Sequence, residues 1–341
     1  LGMPVQETKG SISAQGYGSG LGSQATYIED VFSTYLYTGN SSTQTITNNI
    51  DLSTKGGMVW IKCRNTAVTS RLFDTNRGAT KLLISSSTIA ESTDVGTLTS
   101  FNNNGFSLRE DASVNATAYT YASWTFRKQP KFFDVVTYTG TGATQNIAHN
   151  LGSTPGFLLI KKTSSTSNWV CFSRVGTSSG KFTYAYFNTN AGLNLTAAAN
   201  ATGVAAENAG YITSTVFNPN SLSGSGDGGV NDINASGQTY VAYLFAHDAG
   251  GFGTSGTDNV ISCGGFTVSG GATTTINLGY EPQWVLIKRV DTTGNWQLFD
   301  NMRGFSVDFN NSAILYPNLS DAETSPGSTA KVAVTSTGFK Y

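Results

Sequence analysis

The chain repeats one pattern three times along its length. Three isoleucines, each followed directly by lysine, mark the repeats, and a phenylalanine stands twelve residues after each of them: Ile61 and Phe73, Ile160 and Phe172, Ile287 and Phe299. Later in each repeat a glycine precedes an aromatic residue, at Gly105, Gly210 and Gly338. The first two repeats then close on runs with alternating aromatics, Tyr121 to Phe126 and Tyr240 to Phe245. The third stops at Tyr341, so we expect the native chain to extend further or another chain to donate the missing strand.

The spacing of the repeats indicates whole domains rather than solenoid or propeller units. The phenylalanines lie 99 and then 127 residues apart, whereas solenoid and propeller repeats have periods of roughly 20–50 residues. A spacing near 100 is the size of an independent β-sandwich. The sequence therefore predicts an all-β chain of tandem antiparallel, jelly-roll-like β-sandwich domains with little helix, arranged as beads on a string. An enzyme seldom needs three copies of its site in one chain.

We predict four segments. A Gly- and Ser-rich N-terminal arm or linker covers residues 1–29. The first sandwich covers residues 30–131, and the second covers residues 132–253 with a flexible loop insertion at 218–237. The third covers residues 259–341 and is incomplete at its C-terminus, with residues 265–268 as its first strand. Short runs of aromatic and β-branched residues bounded by Gly, Asn and Thr predict the strands. The strand before each lysine is apolar at consecutive positions, which indicates burial on both faces.

Composition narrows the classes of partner. Charged residues make up only 12% of the chain and the net charge is −1, so no electrostatic footprint for nucleic acid or an anionic membrane exists. No run approaches the roughly 18 apolar residues of a membrane span, and the first residues lack a secretory signal. The three cysteines fall at different positions of the repeat, which favours buried thiols in a protein folded in a reducing cytoplasm over a disulfide framework.

One local motif recurs closely in the first and third repeats. Both have Phe-Asp, then Arg three residues after the Asp, then Gly. This spacing predicts a structural turn, in which the Asp caps the backbone, the Arg pairs with the carboxylate and the Gly takes a positive φ. The predicted turn residues are Asp74, Arg77, Gly78, Asp300, Arg303 and Gly304. A ligand-binding role is the alternative, but the second repeat has Ser173 and Arg174 instead and evidently folds without the pair.

Trp169 and Trp296 occupy equivalent positions, where the first repeat has Ser70. They alternate with the anchoring phenylalanines along a strand, so they face the opposite side of the sheet. Core or interface packing is one interpretation. An exposed tryptophan that stacks on a host-surface glycan or contacts a neighbouring subunit is the other.

No residue pattern identifies a catalytic, metal or cofactor site. The two histidines, His149 and His247, lie in separate loops without a Cys, Asp or Glu cluster. The run from Asp227 to Asp232 lacks the spacing of a calcium loop and reads as a solvated loop. Nucleophile, Walker-type and dinucleotide motifs are absent, and no acid recurs in all three repeats. We predict no enzymatic activity, no cofactor and no metal, although a pair of carboxylates that converges only in the fold is not excluded.

The order of several landmarks resembles a known family. The landmarks are Tyr37-Thr-Gly39, His149-Asn-Leu-Gly152, Leu159-Ile-Lys-Lys162, Phe73-Asp-x-x-Arg-Gly78, Ser100 to Phe106 and Tyr240-Val-Ala-Tyr243. They resemble a domain of unassigned function that recurs in tandem in tail-fibre-like and other structural proteins of tailed bacteriophages, notably marine ones. The resemblance covers about residues 30–341. Its motifs are structural landmarks, so no functional residue is carried over.

The resemblance implies a non-enzymatic structural protein of the virion, most readily part of a tail fibre or fibre-like appendage that adheres to the host surface. Its expected partners are other virion proteins and further copies of itself, a trimer being one option, with a host glycan as a candidate ligand and neither nucleic acid nor membrane insertion. Three alternatives stay open: a capsid decoration or head-fibre protein, a tailspike with glycan-hydrolase activity, and a secreted bacterial adhesin.

Overall fold

The computed structural model describes residues 25–174, 182–192, 210–222, 230–268, 271, 273–324 and 332–341. Over these residues the chain is nearly all β, in antiparallel sheets consistent with a sandwich-like fold. The arm predicted at residues 1–29 lies mostly outside this description, and its last residues, Ile28–Asp30, form a short 3₁₀ turn.

The first repeat forms two sheets that face each other. The larger sheet has the order β1-β9-β3-β4, and the smaller has the order β2-β8-β7. The larger consists of β1 (Phe32–Thr38), β9 (Thr120–Arg127), β3 (Gly57–Cys63) and β4 (Arg71–Asp74). The smaller consists of β2 (Gln44–Thr47), β8 (Gly105–Leu108) and β7 (Leu98–Asn102). A two-stranded ribbon, β5 (Lys81–Leu82) and β6 (Ser92–Thr93), and the helical turn α1 (Ala112–Asn115) complete the repeat.

The second repeat has the same plan. Its larger sheet has the order β10-β16-β12-β13-β14, and its smaller sheet pairs β11 with β15. The strands of the larger sheet are β10 (Phe133–Thr139), β16 (Thr239–Phe245), β12 (Phe157–Lys162), β13 (Trp169–Arg174) and β14 (Phe182–Tyr186). The remaining elements are β11 (Ile147–Ala148), β15 (Val216–Phe217) and the helical turns α2 (Pro219–Leu222) and α3 (Val230–Ile233).

The third repeat keeps the smaller sheet and only part of the larger one. Its smaller sheet has the order β17-β21-β20, and a separate pair joins β18 to β19. These strands are β17 (Thr275–Asn277), β18 (Trp284–Ile287), β19 (Gln297–Asp300), β20 (Ala333–Thr335) and β21 (Gly338–Lys340). A 3₁₀ turn, Asn301–Arg303, follows β19 directly.

The same hairpin occurs three times with the same register. The anchoring phenylalanine lies opposite an apolar residue two positions before the anchoring isoleucine in every repeat: Phe73 opposite Val59, Phe172 opposite Leu158, and Phe299 opposite Val285. The three segments are therefore equivalent strand–turn–strand units. The outer boundaries of the three predicted domains stay a prediction.

Each repeat has its own core between its two sheets. These three cores are built around Phe73 and Phe106, around Phe172 and Phe217, and around Phe299 and Phe339. A fourth apolar cluster, the central cluster, takes residues from all three repeats. Its members include Trp60, Trp124, Phe126, Trp169, Phe187, Tyr243, Phe245, Trp296, Leu298 and Leu315.

The central cluster explains why β3 and β12 are apolar at consecutive positions. Val59 and Ile61 face the core of the first repeat, whereas Met58 and Trp60 face the central cluster. Both faces of β3 are therefore buried, because one packs within the sandwich and the other packs against the neighbouring repeats. The beads-on-a-string expectation is wrong on this point, since the larger sheets of the repeats pack against one another.

The Gly-aromatic step of the second repeat does not form the strand that the sequence predicts. In the first and third repeats the aromatic residue of this step, Phe106 or Phe339, lies opposite Ile46 or Ile276. In the second repeat Phe217, not Tyr211, holds this place, opposite Ile147. The reason is local: Gly210 has a φ of 71° and belongs to a turn that precedes the strand.

The insertion at 218–237 is also not simply a surface loop. Its described ends form α2 and α3, and Leu222 and Ile233 are buried in the core of the second repeat. Residues 265–268, expected as the first strand of the third repeat, do not form a strand. In the other repeats the first strand pairs with the closing strand, β9 or β16; the described part of the third repeat has no closing strand to hold it.

Candidate functional site

The Asp–Arg turns of the first and third repeats have the same internal geometry. Asp74 Oδ1 accepts a hydrogen bond from the Arg77 backbone N–H at 2.9 Å, and Arg77 Nε donates to Asp74 Oδ2 at 2.5 Å. The corresponding distances between Arg303 and Asp300 are 3.0 and 2.6 Å. Gly78 and Gly304 follow with φ values of 98° and 93°. Each turn is thus capped by its carboxylate and closed by a left-handed glycine.

Each of these turns also accepts a hydrogen bond from a neighbouring repeat. Tyr243 in β16 donates its hydroxyl to Asp74 Oδ2 at 2.8 Å. Trp124 in β9 donates its indole N–H to Asp300 Oδ2 at 2.9 Å. Tyr243 and Trp124 hold the same position in their closing strands, three residues after Tyr240 and Tyr121. The turn therefore joins repeats together, which the sequence alone did not predict.

A second acid completes each turn. Arg77 Nη1 lies 3.2 Å from Glu91 Oε2, and Arg303 Nη1 lies 3.1 Å from Glu323 Oε2. Glu323 also receives two hydrogen bonds from Arg64 of the first repeat, at 2.8 and 3.0 Å. Because Asp74 and Asp300 are fully buried, their charges depend on the paired arginines for compensation.

Two of the three lysines that mark the repeats also bond a neighbouring repeat, whereas Lys288 bonds the adjacent Arg289 carbonyl. Lys62 Nζ donates to the carbonyl of Ser320 at 2.8 Å, and Lys161 Nζ donates to the carbonyl of Thr88 at 3.1 Å. Both side chains are fully buried. Burial lowers the pKa of Lys62 and of Lys161 from 10.5 to about 8.

The structure buries both tryptophans for which an exposed glycan contact was considered. Trp169 and Trp296 are buried in the central cluster, so neither ring is exposed for a glycan to stack on. Their indole N–H groups donate across the repeat boundary, Trp169 to the carbonyl of Ile84 at 2.8 Å and Trp296 to that of Tyr186 at 3.3 Å. Phe187 contacts both rings.

The first repeat differs at this position. It has Ser70, whose buried hydroxyl finds no partner, beside a void without room for a water molecule. Trp60 lines this void and contacts Trp124 and Phe187. The first repeat therefore supplies its large aromatic side chain, Trp60, from β3. This is one strand away from the place of the equivalent tryptophans in the other two repeats.

Together these contacts join the three repeats in a closed ring. The second repeat donates to the first through Trp169, Lys161 and Tyr243. The first donates to the third through Lys62 and Trp124. The third donates to the second through Trp296 and through the Gly294 backbone N–H, which bonds the carbonyl of Asn190 at 2.8 Å. Each boundary between two repeats therefore carries at least two of these contacts.

The turn of the second repeat differs from the other two. Ser173 stands where the other turns have Asp74 and Asp300. Its Oγ contacts the carbonyl of Arg174.

Two asparagines that the sequence did not single out tie the segment before each closing strand to the loop after the first strand. Asn115 Oδ1 accepts the Asn40 backbone N–H at 3.0 Å, and Asn234 Oδ1 accepts the Thr141 backbone N–H at 3.1 Å. Both are fully buried. The available signal was the match of Val114-Asn-Ala116 to Ile233-Asn-Ala235, which lies inside the segment interpreted as a flexible insertion.

The remaining candidates for chemistry lie apart from one another. His149 is buried, and burial lowers its pKa. Cys63, Cys171 and Cys263 are free thiols. Asp227 lies outside the described residues. Within the described ranges, no group of three or more His, Cys, Asp and Glu side chains is placed to hold a metal ion, and no helix is long and apolar enough to cross a membrane.

Comparison with known protein families identifies the family of the chain. It belongs to the family defined by a domain of unknown function, DUF7483, whose model matches residues 28–341. No curated protein and no solved structure matches the chain. The family therefore covers all three repeats and the ring between them.

Proposed function

We propose that the chain is an architectural, non-enzymatic protein of a tailed-bacteriophage particle, most readily part of a tail fibre or fibre-like appendage. The observation that carries this proposal is the ring of contacts between repeats. The buried ionic and polar groups that recur in the repeats bind the repeats to one another. Groups used in this way contribute rigidity and shape rather than chemistry.

The Asp–Arg–Glu clusters illustrate the point. A glycan hydrolase needs two carboxylates that reach a sugar in a groove. Asp74 is fully buried and holds Arg77 and Tyr243, and Asp300 is fully buried and holds Arg303 and Trp124. Neither carboxylate can meet a glycan without opening the ring. The landmarks shared with structural proteins of tailed phages supply the biological setting for this architecture.

Mass spectrometry of purified particles, with heads and tails separated, tests the proposal. We expect peptides of this chain in the tail fraction, at a copy number that indicates a structural component. Their recovery in the head fraction would favour a head fibre or decoration protein, and their absence from particles would contradict the proposal. Release of reducing ends from host polysaccharide by the purified chain would contradict the non-enzymatic part.

A further inference from the structure

His149 holds a place that an asparagine holds in the first repeat. It follows β11 directly, as Asn48 follows the equivalent strand β2. The backbone N–H groups of the two residues make equivalent bonds across their smaller sheets, to the carbonyl of Thr215 at 2.8 Å and to that of Asn104 at 3.0 Å. Both side chains are buried. The second repeat therefore has a titratable side chain where the first has a neutral amide.

The two side chains also make the same bond. His149 Nδ1 accepts the backbone N–H of Leu151 at 3.2 Å, and Asn48 Oδ1 accepts that of Ile50 at 3.2 Å. Each bond runs to the residue two positions further along the chain, which is the pattern of an Asx turn. Because Nδ1 is the acceptor, it carries no proton, and the single proton of the neutral imidazole is on Nε2. This bond therefore requires the neutral form of His149.

The far side of the imidazole lacks the partner that the asparagine has. Asn48 Nδ2 donates to Thr125 Oγ1 in β9 at 2.8 Å. The register of the equivalent strand pairs puts Leu244 of β16, an apolar residue, at the position of Thr125. Within the described part of the chain, His149 Nε2 is buried and makes no hydrogen bond. The imidazole is thus held through Nδ1.

One buried acid acts on His149. Asp134 Oδ2 in β10 accepts the backbone N–H of Asn150 at 2.7 Å. Its Oδ1 lies 3.0 Å from Nζ of Lys128, in the segment that joins the first two repeats. β11, β16 and residues 213–217 carry no charged side chain. The carboxylate next to His149 is therefore already paired with a lysine.

Burial decides the charge of His149. It lowers the pKa of the imidazole below its ordinary value, and it outweighs the opposite effects of Asp134 and of the backbone at Thr213 and Val216. The tyrosines of β16 stay neutral, because burial raises their pKa values as well. The closed structure therefore favours the form of His149 that can accept the bond from Leu151.

We propose that His149 is a proton-operated latch on residues 149–152, the latch loop. When Nδ1 takes up a second proton, its N–H faces the N–H of Leu151 and their bond is lost. Leu151 is fully buried in the core of the second repeat. Its carbonyl accepts the backbone N–H of Lys131 at 2.6 Å, where the chain passes from the first repeat to the second. Acid therefore releases the latch loop from its own core and from this junction.

The direction of the pKa shift sets the pH range. Below about pH 6.5 an opened loop binds a proton that the closed loop does not, because the pKa of His149 is lowered only in the closed loop. The stability that the latch contributes is thus fully present above this pH. It is lost progressively as the pH falls.

Amide hydrogen exchange of the intact chain tests the proposal, with each rate divided by the intrinsic rate at the same pH. From about pH 7.5 to about pH 5.5 we expect the protection of Leu151 and Lys131 to fall about tenfold, which is the change in proton binding for a histidine of ordinary pKa. His149→Asn reproduces the first repeat and should keep its protection. The amide of Ile50, bonded to Asn48, is the internal reference and should not change in either protein.

Titration of the His149 imidazole by NMR gives a second readout that needs no variant. A histidine that titrates at about pH 6.5 while Leu151 stays protected would overturn the proposal, because protonation would then leave the loop closed. Equal loss of protection in the wild type and in His149→Asn would also overturn it, since another group would be responsible. Unchanged protection of Leu151 in the wild type at acidic pH would do the same.

Discussion

At the scale of single residues, the buried lysines connect the ring to pH. Lys62 and Lys161 bind carbonyls of the neighbouring repeat, and their pKa values are lowered by burial to about 8. Below pH 8 both lysines are protonated in the folded and in the unfolded chain. The folded state is then destabilised because it buries two charged ammonium groups. Between pH 8 and 10.5 the unfolded chain still holds protons that the folded chain has released, so stability rises with pH.

We predict that Lys62→Met removes part of this rise. Relative to the variant, the wild-type chain should gain about 2 kcal/mol in unfolding free energy between about pH 7 and about pH 9.5. Denaturant unfolding of both proteins across this range measures the difference, in which other titrating groups cancel. The matched control is Lys55→Met at an exposed position. Parallel pH profiles for wild type and Lys62→Met would contradict the prediction.

The contact between Tyr243 and Asp74 gives a second prediction at this scale. Asp74→Ala should destabilise the chain by about 3–5 kcal/mol, because Arg77 is left buried without its main partner. Tyr243→Phe should cost about 1 kcal/mol for the lost hydrogen bond. Since these residues belong to different repeats, a coupling of about 0.5–3 kcal/mol in the double variant shows that the repeats are joined.

Chemical denaturation of the wild-type chain, Asp74→Ala, Tyr243→Phe and the double variant measures this coupling energy. Asp308→Ala, at an exposed site in the third repeat, serves as the control and should change stability by less than about 0.5 kcal/mol. Strict additivity of Asp74→Ala and Tyr243→Phe would mean that the contact is not formed in solution.

At the scale of the strands, two glycines set how closely the smaller sheets can pair. A Cβ at Gly105 would lie 1.9 Å from the carbonyl oxygen of Ile46, and one at Gly338 would lie 1.9 Å from that of Ile276. These are equivalent positions, in β8 and β21, opposite β2 and β17. Only glycine allows the two backbones to approach in this way.

We predict that Gly105→Ala and Gly338→Ala each destabilise the chain by about 1–3 kcal/mol, since the strands must move apart to admit the methyl group. Thermal unfolding measures the loss. Gly264→Ala is the control, because a Cβ there meets no atom within 4 Å. Equal melting temperatures for Gly338→Ala and Gly264→Ala would show that β21 does not pair as described.

The strands also show what a sequence can reveal and where it stops. The repeated hairpin and the Asp–Arg turn follow from local spacing, because a strand period and a capped turn are properties of neighbouring residues. The burial of Trp169 and Trp296 could not be read in this way. The outer face of a strand is exposed or buried according to what covers it, and here the covering residues belong to other repeats, 85 and 110 residues away.

The expected first strand at residues 265–268 failed for a related reason. Its apolar pattern resembles that of β1 and β10, but a strand needs a partner for its backbone groups, and those strands find one in β9 and β16. The local pattern of residues 265–268 does not show that a first strand depends on pairing with a closing strand.

At the scale of the whole molecule, the three repeats form one closed assembly rather than a row of domains. Each pair of repeats shares hydrogen bonds across its boundary, and the central cluster contains side chains from all three. Such an arrangement resembles a homotrimer whose subunits are joined in one chain.

Small-angle X-ray scattering of residues 25–341 tests this claim most directly. A compact chain of this size should have a radius of gyration of about 20 Å. Three separate domains of the same total size, each of about 13 Å, would give about 30 Å when placed in a row. We predict the smaller value, unchanged by dilution. A value near the larger one would contradict the ring and return the repeats to independent beads.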